Sequence, residues 1–203
     1  VAALRRARGL RQLFGKLRWI HAAPVLAMLV LTSWAFASPI GAGPDDDYHL
    51  VSTWCSGGGS EACAPGTRSN TREVSEAFQS VICYVQVPSR SAACQDEWGL
   101  SLDGPKYETD RGNFGHEYPG VYYGAMRVFA GGDLVQSALV MRLVNLTLFV
   151  GLATALAVLL PASRRQTLLW GWLVSLVPLG VFLIPSNNPS VWAITGVGTA
   201  FLA

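Results

Sequence analysis

The residues that could carry chemistry gather in two short segments. The first is Pro44-Asp45-Asp46-Asp47-Tyr48-His49. Asp45, Asp46 and His49 are its candidate catalytic groups. If Asp45 opens a helix, His49 lies one turn on and shares its face, and Asp46, three residues before His49, neighbours it as well. Three adjacent carboxylates repel, so either one of them keeps its proton or a cation is held between them. The first outcome suits a general base. The second makes Asp45 and Asp47 ligands of a divalent cation, Mg or Mn. The same residues have a plainer use: aspartates at a helix N-terminus cap it and complement its dipole.

The second segment runs Phe114-Gly115-His116-Glu117-Tyr118-Pro119-Gly120-Val121-Tyr122-Tyr123. His116, Glu117, Tyr122 and Tyr123 are candidates for contacting a substrate; the alternative is an interfacial aromatic belt around a Pro-Gly turn. Arg142 is a third candidate. A charge in an apolar stretch is costly, so it must face protein, water or a phosphate, or else snorkel to the headgroups. The Asn187-Asn188-Pro189-Ser190 turn could reach the same site. Asn145-Leu146-Thr147 matches a glycosylation sequon but sits inside an apolar stretch, which removes it from consideration. The chain has no phosphate-binding loop, dinucleotide glycine fingerprint, HExxH motif or nucleophile elbow.

These segments must be positioned by the rest of the chain, and the charge distribution says how. Of 203 residues, 51% are apolar and only 14% charged, well below the ~25% of soluble domains. Residues 166–203 carry no charge at all. This excludes a soluble globular domain, while the apolar content excludes disorder and the missing basic stripe excludes a nucleic-acid partner. All 13 acidic residues lie between Asp45 and Asp133, and six of the 15 basic residues precede Trp19.

A helix needs ~20 mostly apolar residues to cross a bilayer. Spans are expected over 19–38, 137–160 and 167–184, with a fourth beginning at 191 and still running at Ala203, so the pattern reads as part of a longer polytopic protein. Arg5, Arg6, Arg8, Arg11, Lys16 and Arg18 precede the first span, and Arg164 and Arg165 follow the second. The positive-inside rule therefore puts segments 1–18 and 161–166 in the cytoplasm of a multi-pass cell-membrane protein, with 39–136 and the 185–190 turn outside. Leu10, Leu13, Phe14 and Leu17 would give the basic segment an apolar face against the inner leaflet. Ala35-Phe36-Ala37 permits an alternative, a cleavable signal peptide.

The region 39–136 is too long for a connecting loop and should fold. It holds all four cysteines, Cys55, Cys63, Cys83 and Cys94. An even number in an oxidising compartment reads as two disulfides. Three pairings are open; the local one, Cys55–Cys63 with Cys83–Cys94, is preferred because each pair brackets a turn-rich segment. A zinc site is disfavoured by the absence of C-x-x-C. Short helices are expected after Asp45 and over 73–79, a strand over 81–87, irregular chain over 99–115, and an aromatic amphipathic segment over 118–130 with Tyr122, Tyr123 and Phe129 at headgroup level. The expected fold class is membrane α-helical and polytopic: three complete transmembrane helices plus the start of a fourth, with a disulfide-bonded mixed α/β extracytoplasmic insertion.

In layout and motif the chain resembles the GT-C superfamily of membrane glycosyltransferases. More narrowly, it looks like the membrane family catalogued as domain of unknown function 2142. That family shows a P-D-E-x-x-H type motif after its first span; Pro44, Asp45 and His49 match it, with Asp46 in place of glutamate. An H-P-P-L-Y-Y-like motif before the second span reads here Tyr118-Pro119-Gly120-Val121-Tyr122-Tyr123, without the second proline and with His116 off register. The resemblance implies sugar transfer from a polyprenyl-phosphate donor to an envelope glycan acceptor at the outer membrane face. Asp45 would be the general base, with Asp46 or Asp47 assisting or binding a divalent cation. That Arg142 neutralises the donor phosphate follows from its charge, not from the family. Two rival readings are a non-catalytic membrane protein whose disulfide-bonded ectodomain binds a partner or glycan, and a transporter fragment, to which Arg142 and Pro178 also conform.

Overall fold

The computed structural model describes residues 19–58 and 63–202. The basic segment 1–18, expected on the inner leaflet, lies outside the described residues. Helix α1 (Trp19–Ala37) leads into a tight loop and α2 (Asp46–Cys55). A small polar layer follows: β1 (Ala64–Pro65), β2 (Arg72–Ser75), α3 (Ala77–Ser80), α4 (Cys94–Trp98) and β3 (Lys106–Thr109). A 3-10 turn at Asn113–Gly115 precedes α5 (Val121–Met126), and a second 3-10 turn at Arg127–Phe129 leads to the long α6 (Leu134–Leu159). The chain closes with α7 (Ala162–Ser175), α8 (Pro178–Leu183) and α9 (Ser190–Leu202).

The three strands pair antiparallel in the order β1-β2-β3, with Arg72 opposite Thr109 and Ser75 opposite Lys106. Val74 from β2 is fully buried beside Trp54 of α2 and Phe78 of α3, whose rings meet edge-on at 5.5 Å. The disulfides Cys55–Cys63 and Cys83–Cys94 form as preferred from the sequence. Gln95, beside Cys94, donates to the carbonyls of Ile40 (2.6 Å) and Val81 (2.8 Å) and so ties the second disulfide loop to the end of α1. Gly41 is required there: its φ is +85°, and a Cβ would lie 2.1 Å from the Val81 carbonyl oxygen.

Helix α6 starts where Asp133 accepts from the backbone N–H of Gln136 at 2.9 Å, a side-chain N-cap. Its 26 residues run for ~39 Å. It packs along α1 and also against α9. Helix α1 turns Leu31 and Ala35 inward and leaves Val25, Leu26, Leu29, Val30 and Phe36 about 60% exposed. An outward face this apolar suits lipid rather than water.

The expectation of three complete spans is corrected. Among the described residues only α6 is long and apolar enough to cross a membrane. The apolar stretch of α1, Ala22–Ala37, is shorter. The region read as a third span breaks at Leu176-Val177-Pro178. Val177 takes an extended conformation, the one favoured before a proline, and the helix divides into pieces of 14 and 6 residues. Neither piece reaches across a ~30 Å core. Continuous apolar composition concealed this break.

Local expectations fared unevenly. Helix α2 forms where the acidic start predicted it. The helix expected over 73–79 is instead strand β2 followed by α3, because Glu73 and Val74 pair with β3. The strand expected over 81–87 is a run of turns. Region 99–115 contains β3 within otherwise irregular chain. Tyr122 and Tyr123, expected at headgroup level, are 4% and 1% exposed.

Candidate functional site

The three aspartates at the start of α2 have three different environments. Asp45 has φ +55°, a left-handed conformation that aspartate tolerates better than most residues. Its carbonyl accepts the His49 N–H at 2.9 Å, yet its side chain caps nothing. The carboxylate is 56% exposed. Asp46 turns back into the protein, and its side chain has no exposure. It accepts from the N–H groups of Gly41 and Gly43, both at 3.2 Å. Asp47 lies between them, with a side chain 12% exposed.

Arg142, one turn-pair into α6, is 1% exposed and meets Asp46 Oδ2 at 3.2 Å. It also donates to the carbonyls of Ala35 (3.1 Å), Ser38 (2.8 Å) and Pro39 (2.9 Å). These oxygens end α1, where helix carbonyls lack intrahelical partners and the dipole is negative. Burial pushes the Asp46 carboxyl above its ordinary range, against the pull of Arg142 and the two glycine amides. A perturbed carboxyl was expected from repulsion among the aspartates; the cause is desolvation instead. The structure therefore gives Arg142 a position different from the substrate-facing one expected. Its guanidinium is committed to α1 and Asp46, and a donor phosphate has no open approach to it. Asp46, expected to act beside His49, is enclosed in the same way.

The exposed part of the site is organised by Arg111, in the chain that leaves β3. Its Nε and Nη2 grip Asp47 at 2.9 and 2.8 Å, and Nη2 also donates to Asp45 at 3.0 Å. The fork on Asp47 holds the guanidinium above the Tyr48 ring, 5.7 Å from its centroid. Hydrogen bonding to Asp47, above all, raises the Arg111 pKa further, so the group stays cationic. Tyr48 donates to Glu117 at 3.1 Å. Burial and this acceptor push its hydroxyl up to about 12, so it remains a donor. Asn113 straps the second motif onto α2: its N–H donates to Ser52 Oγ at 2.8 Å, and its side chain exchanges two hydrogen bonds with the Tyr118 backbone.

Beneath this layer His49 is 1% exposed, with Nδ1 2.9 Å from the Tyr123 hydroxyl. Burial lowers the imidazole to about 4, leaving it neutral near pH 7. The rings of Tyr48 and Tyr118 meet it edge-on at 5.3 and 5.4 Å. Tyr122 forms part of another cluster. Asn145 donates to its hydroxyl (3.1 Å) and to the Ser186 carbonyl (2.7 Å), and accepts from Trp192 Nε1 (3.0 Å). Asn188 donates to the Pro44 carbonyl at 3.0 Å, so the turn after α8 does reach the acidic motif.

The structure thus brings together Asp45, Asp47, Tyr48 and Glu117 at the surface, with His49 and Tyr123 supporting them from below. His116 is exposed at φ +62° and makes no contact with Asp45 among the described residues. Among the described residues no group of three His, Cys, Asp or Glu side chains is placed to hold a metal ion. Asp45 and Asp47, the candidate cation ligands, instead share the Arg111 guanidinium, which a cation would have to displace. Sequence reasoning missed Arg111 and Asn113. Both lie outside the strands and α-helices, more than 60 residues from their partners in α2, and only the excess of acid over base around them hinted at a pairing.

Comparison with known proteins adds one result. No curated protein and no solved structure matches the chain. A family model described as "Predicted membrane protein (DUF2142)" matches residues 28–203, which takes in α2, the polar layer, Arg111, Glu117 and Arg142. The chain belongs to this family of membrane proteins.

Proposed function

We propose that the protein is a membrane glycosyltransferase of the GT-C type, acting at the extracytoplasmic surface with Asp45 as general base. The observation that carries the reading is the contrast between Asp45 and its neighbours. Asp46 is enclosed and Asp47 is held by both arms of a guanidinium, while Asp45 keeps 56% of its side chain open and one oxygen fixed by Arg111. A strained left-handed backbone holds it in that position, a feature associated with functional sites.

The reaction would run as follows. Asp45 takes the proton of an acceptor hydroxyl as that oxygen forms a bond to the anomeric carbon of the donor sugar. The bond from that carbon to the phosphate oxygen breaks, and its electron pair leaves with the polyprenyl phosphate. Arg111 orients the base, and Tyr48 and Glu117 border the acceptor side. Arg142 acts at a distance, by fixing the loop from which Asp45 projects.

The decisive experiment is Asp45→Asn in the full-length protein, with sugar transfer from a lipid-linked donor measured in membranes. Transfer should fall by at least ~10². Transfer at the parental rate, in protein that is normally folded, would remove the catalytic assignment.

A further inference from the structure

A polar cleft of about 460 Å³ lies beside the acidic motif, lined, Glu117 apart, by residues with no part in the proposed chemistry. Arg68, Asn70, Thr71, Asp110, Phe114 and Glu117 line it. Its volume falls in the ~300–1,000 Å³ range of small-molecule sites. Two walls come from distant parts of the chain: the β1–β2 turn on one side and the chain from Asp110 to Glu117 on the other. Glycine shapes the second wall. A Cβ on Gly112 would lie 2.5 Å from the Phe114 ring, and one on Gly115 would lie 2.4 Å from a Glu117 oxygen.

The cleft adjoins the site in two ways. Glu117 lines it and also accepts the Tyr48 hydroxyl at 3.1 Å. Asp110 and Gly112 line it and flank Arg111, whose Nη2 is 3.0 Å from Asp45. Its chemistry is mixed. Asp110 and Glu117 accept hydrogen bonds, and Asn70 and Arg68 donate them. Arg68 is already 3.5 Å from Glu108, a carboxylate that Thr67, Thr71 and the Arg68 N–H also serve. Those bonds hold Glu108 down at about 2, so it stays charged and keeps Arg68 partly neutralised. The lining thus has an excess of negative charge, which disfavours phosphate or a uronic acid. A hydroxyl both donates and accepts, and an uncharged or amino-bearing ring of hydroxyls matches such a wall.

We infer that this cleft seats the acceptor as a neutral or amino-bearing saccharide, with Asp110, Glu117 and Asn70 bonding its hydroxyls. Its role as the acceptor seat rests on the transferase reading; saccharide binding itself does not. The test is saturation-transfer NMR on the full-length protein in detergent, with maltotriose, a glucosamine trimer and trigalacturonate as probes. The first two should take up saturation and the third should not. Joint replacement Asn70→Gly, which keeps the left-handed turn at φ +57°, and Asp110→Ala should weaken the maltotriose signal about tenfold, and Arg68→Ala should weaken it in the same direction. Equal signal from trigalacturonate, no signal from the other two, or an unaltered signal in the variants would overturn the assignment. Parental transfer activity in Asp45→Asn would overturn the catalytic reading and leave the binding result standing.

Discussion

Arg142 and Asp46 meet at 3.2 Å inside the protein, with side chains 1% and 0% exposed. The pair joins the long helix α6 to the loop that ends α1, and it encloses an Asp46 oxygen and the Arg142 Nε that have no hydrogen-bond partner among the described residues. Removing one member leaves a buried charge uncompensated, at a cost of ~3–5 kcal/mol. Arg142→Met should therefore lower the unfolding midpoint in detergent strongly. Arg142→Met with Asp46→Asn should recover part of the loss. A single variant as stable as the parent would show that the pair does not hold the loop.

Stability should also depend on pH through His49. Its folded pKa of about 4 lies below the ordinary 6.5, so between these values the unfolded chain binds more protons. The contribution is complete above pH 6.5 and is lost as pH falls toward 4, by on the order of 3 kcal/mol. Glu108, also lowered, loses its contribution over a separate and more acidic window, from 4.5 toward about 2. Unfolding free energies measured from pH 7 to 4 should fall in the parent and stay flatter in His49→Gln. Equal slopes in the two proteins would contradict a buried neutral imidazole.

Arg111→Lys preserves charge and loses the fork. A single ammonium cannot hold both oxygens of Asp47 while reaching Asp45. Under the proposed function, transfer should fall on the order of 10²-fold as the base loses its orientation, with little change in unfolding midpoint because Arg111 is half exposed. Parallel loss of folding and activity would make Arg111 a structural residue instead.

The Cys83–Cys94 bridge spans 11 residues. Replacing both cysteines by serine should cost ~2–4 kcal/mol and loosen the Gln95 contacts to Ile40 and Val81. Hydrogen exchange at residues 81–95 would report this, and unchanged protection there would count against the bridge as the fastening of that loop.

The parts of this protein that were legible in the sequence are those governed by local rules. Helix α2 followed from an acidic first turn, α6 from its apolar length, and the disulfides from cysteines that bracket turns. Parts set by distant partners were not legible. Strand β2 looked helical because its four residues owe their conformation to β3, more than 30 residues on. The third span looked continuous because hydropathy ignores the extended residue that Pro178 favours before it. Within the site, Asp45 and His49 were evident as chemistry, whereas Arg142 was evident only as a costly charge. Of the protein, water, phosphate or headgroups it could have faced, the structure has it facing protein, three carbonyls and Asp46, partners that no local pattern encodes.

The contact between Arg142 and the end of α1 has a mechanical consequence. Arg142 sits eight residues beyond the start of α6, ~12 Å along its axis. The acidic motif hangs from that point through Asp46 and the Ser38 and Pro39 carbonyls. The height of Asp45 relative to α6, among the described residues the one helix long enough to cross a bilayer, is therefore set in part by this side chain. Shifting the arginine one turn along α6 would carry the motif ~5 Å up or down that axis. A tilt of α6 would likewise reach the exposed carboxylate as a displacement, with the guanidinium as its pivot.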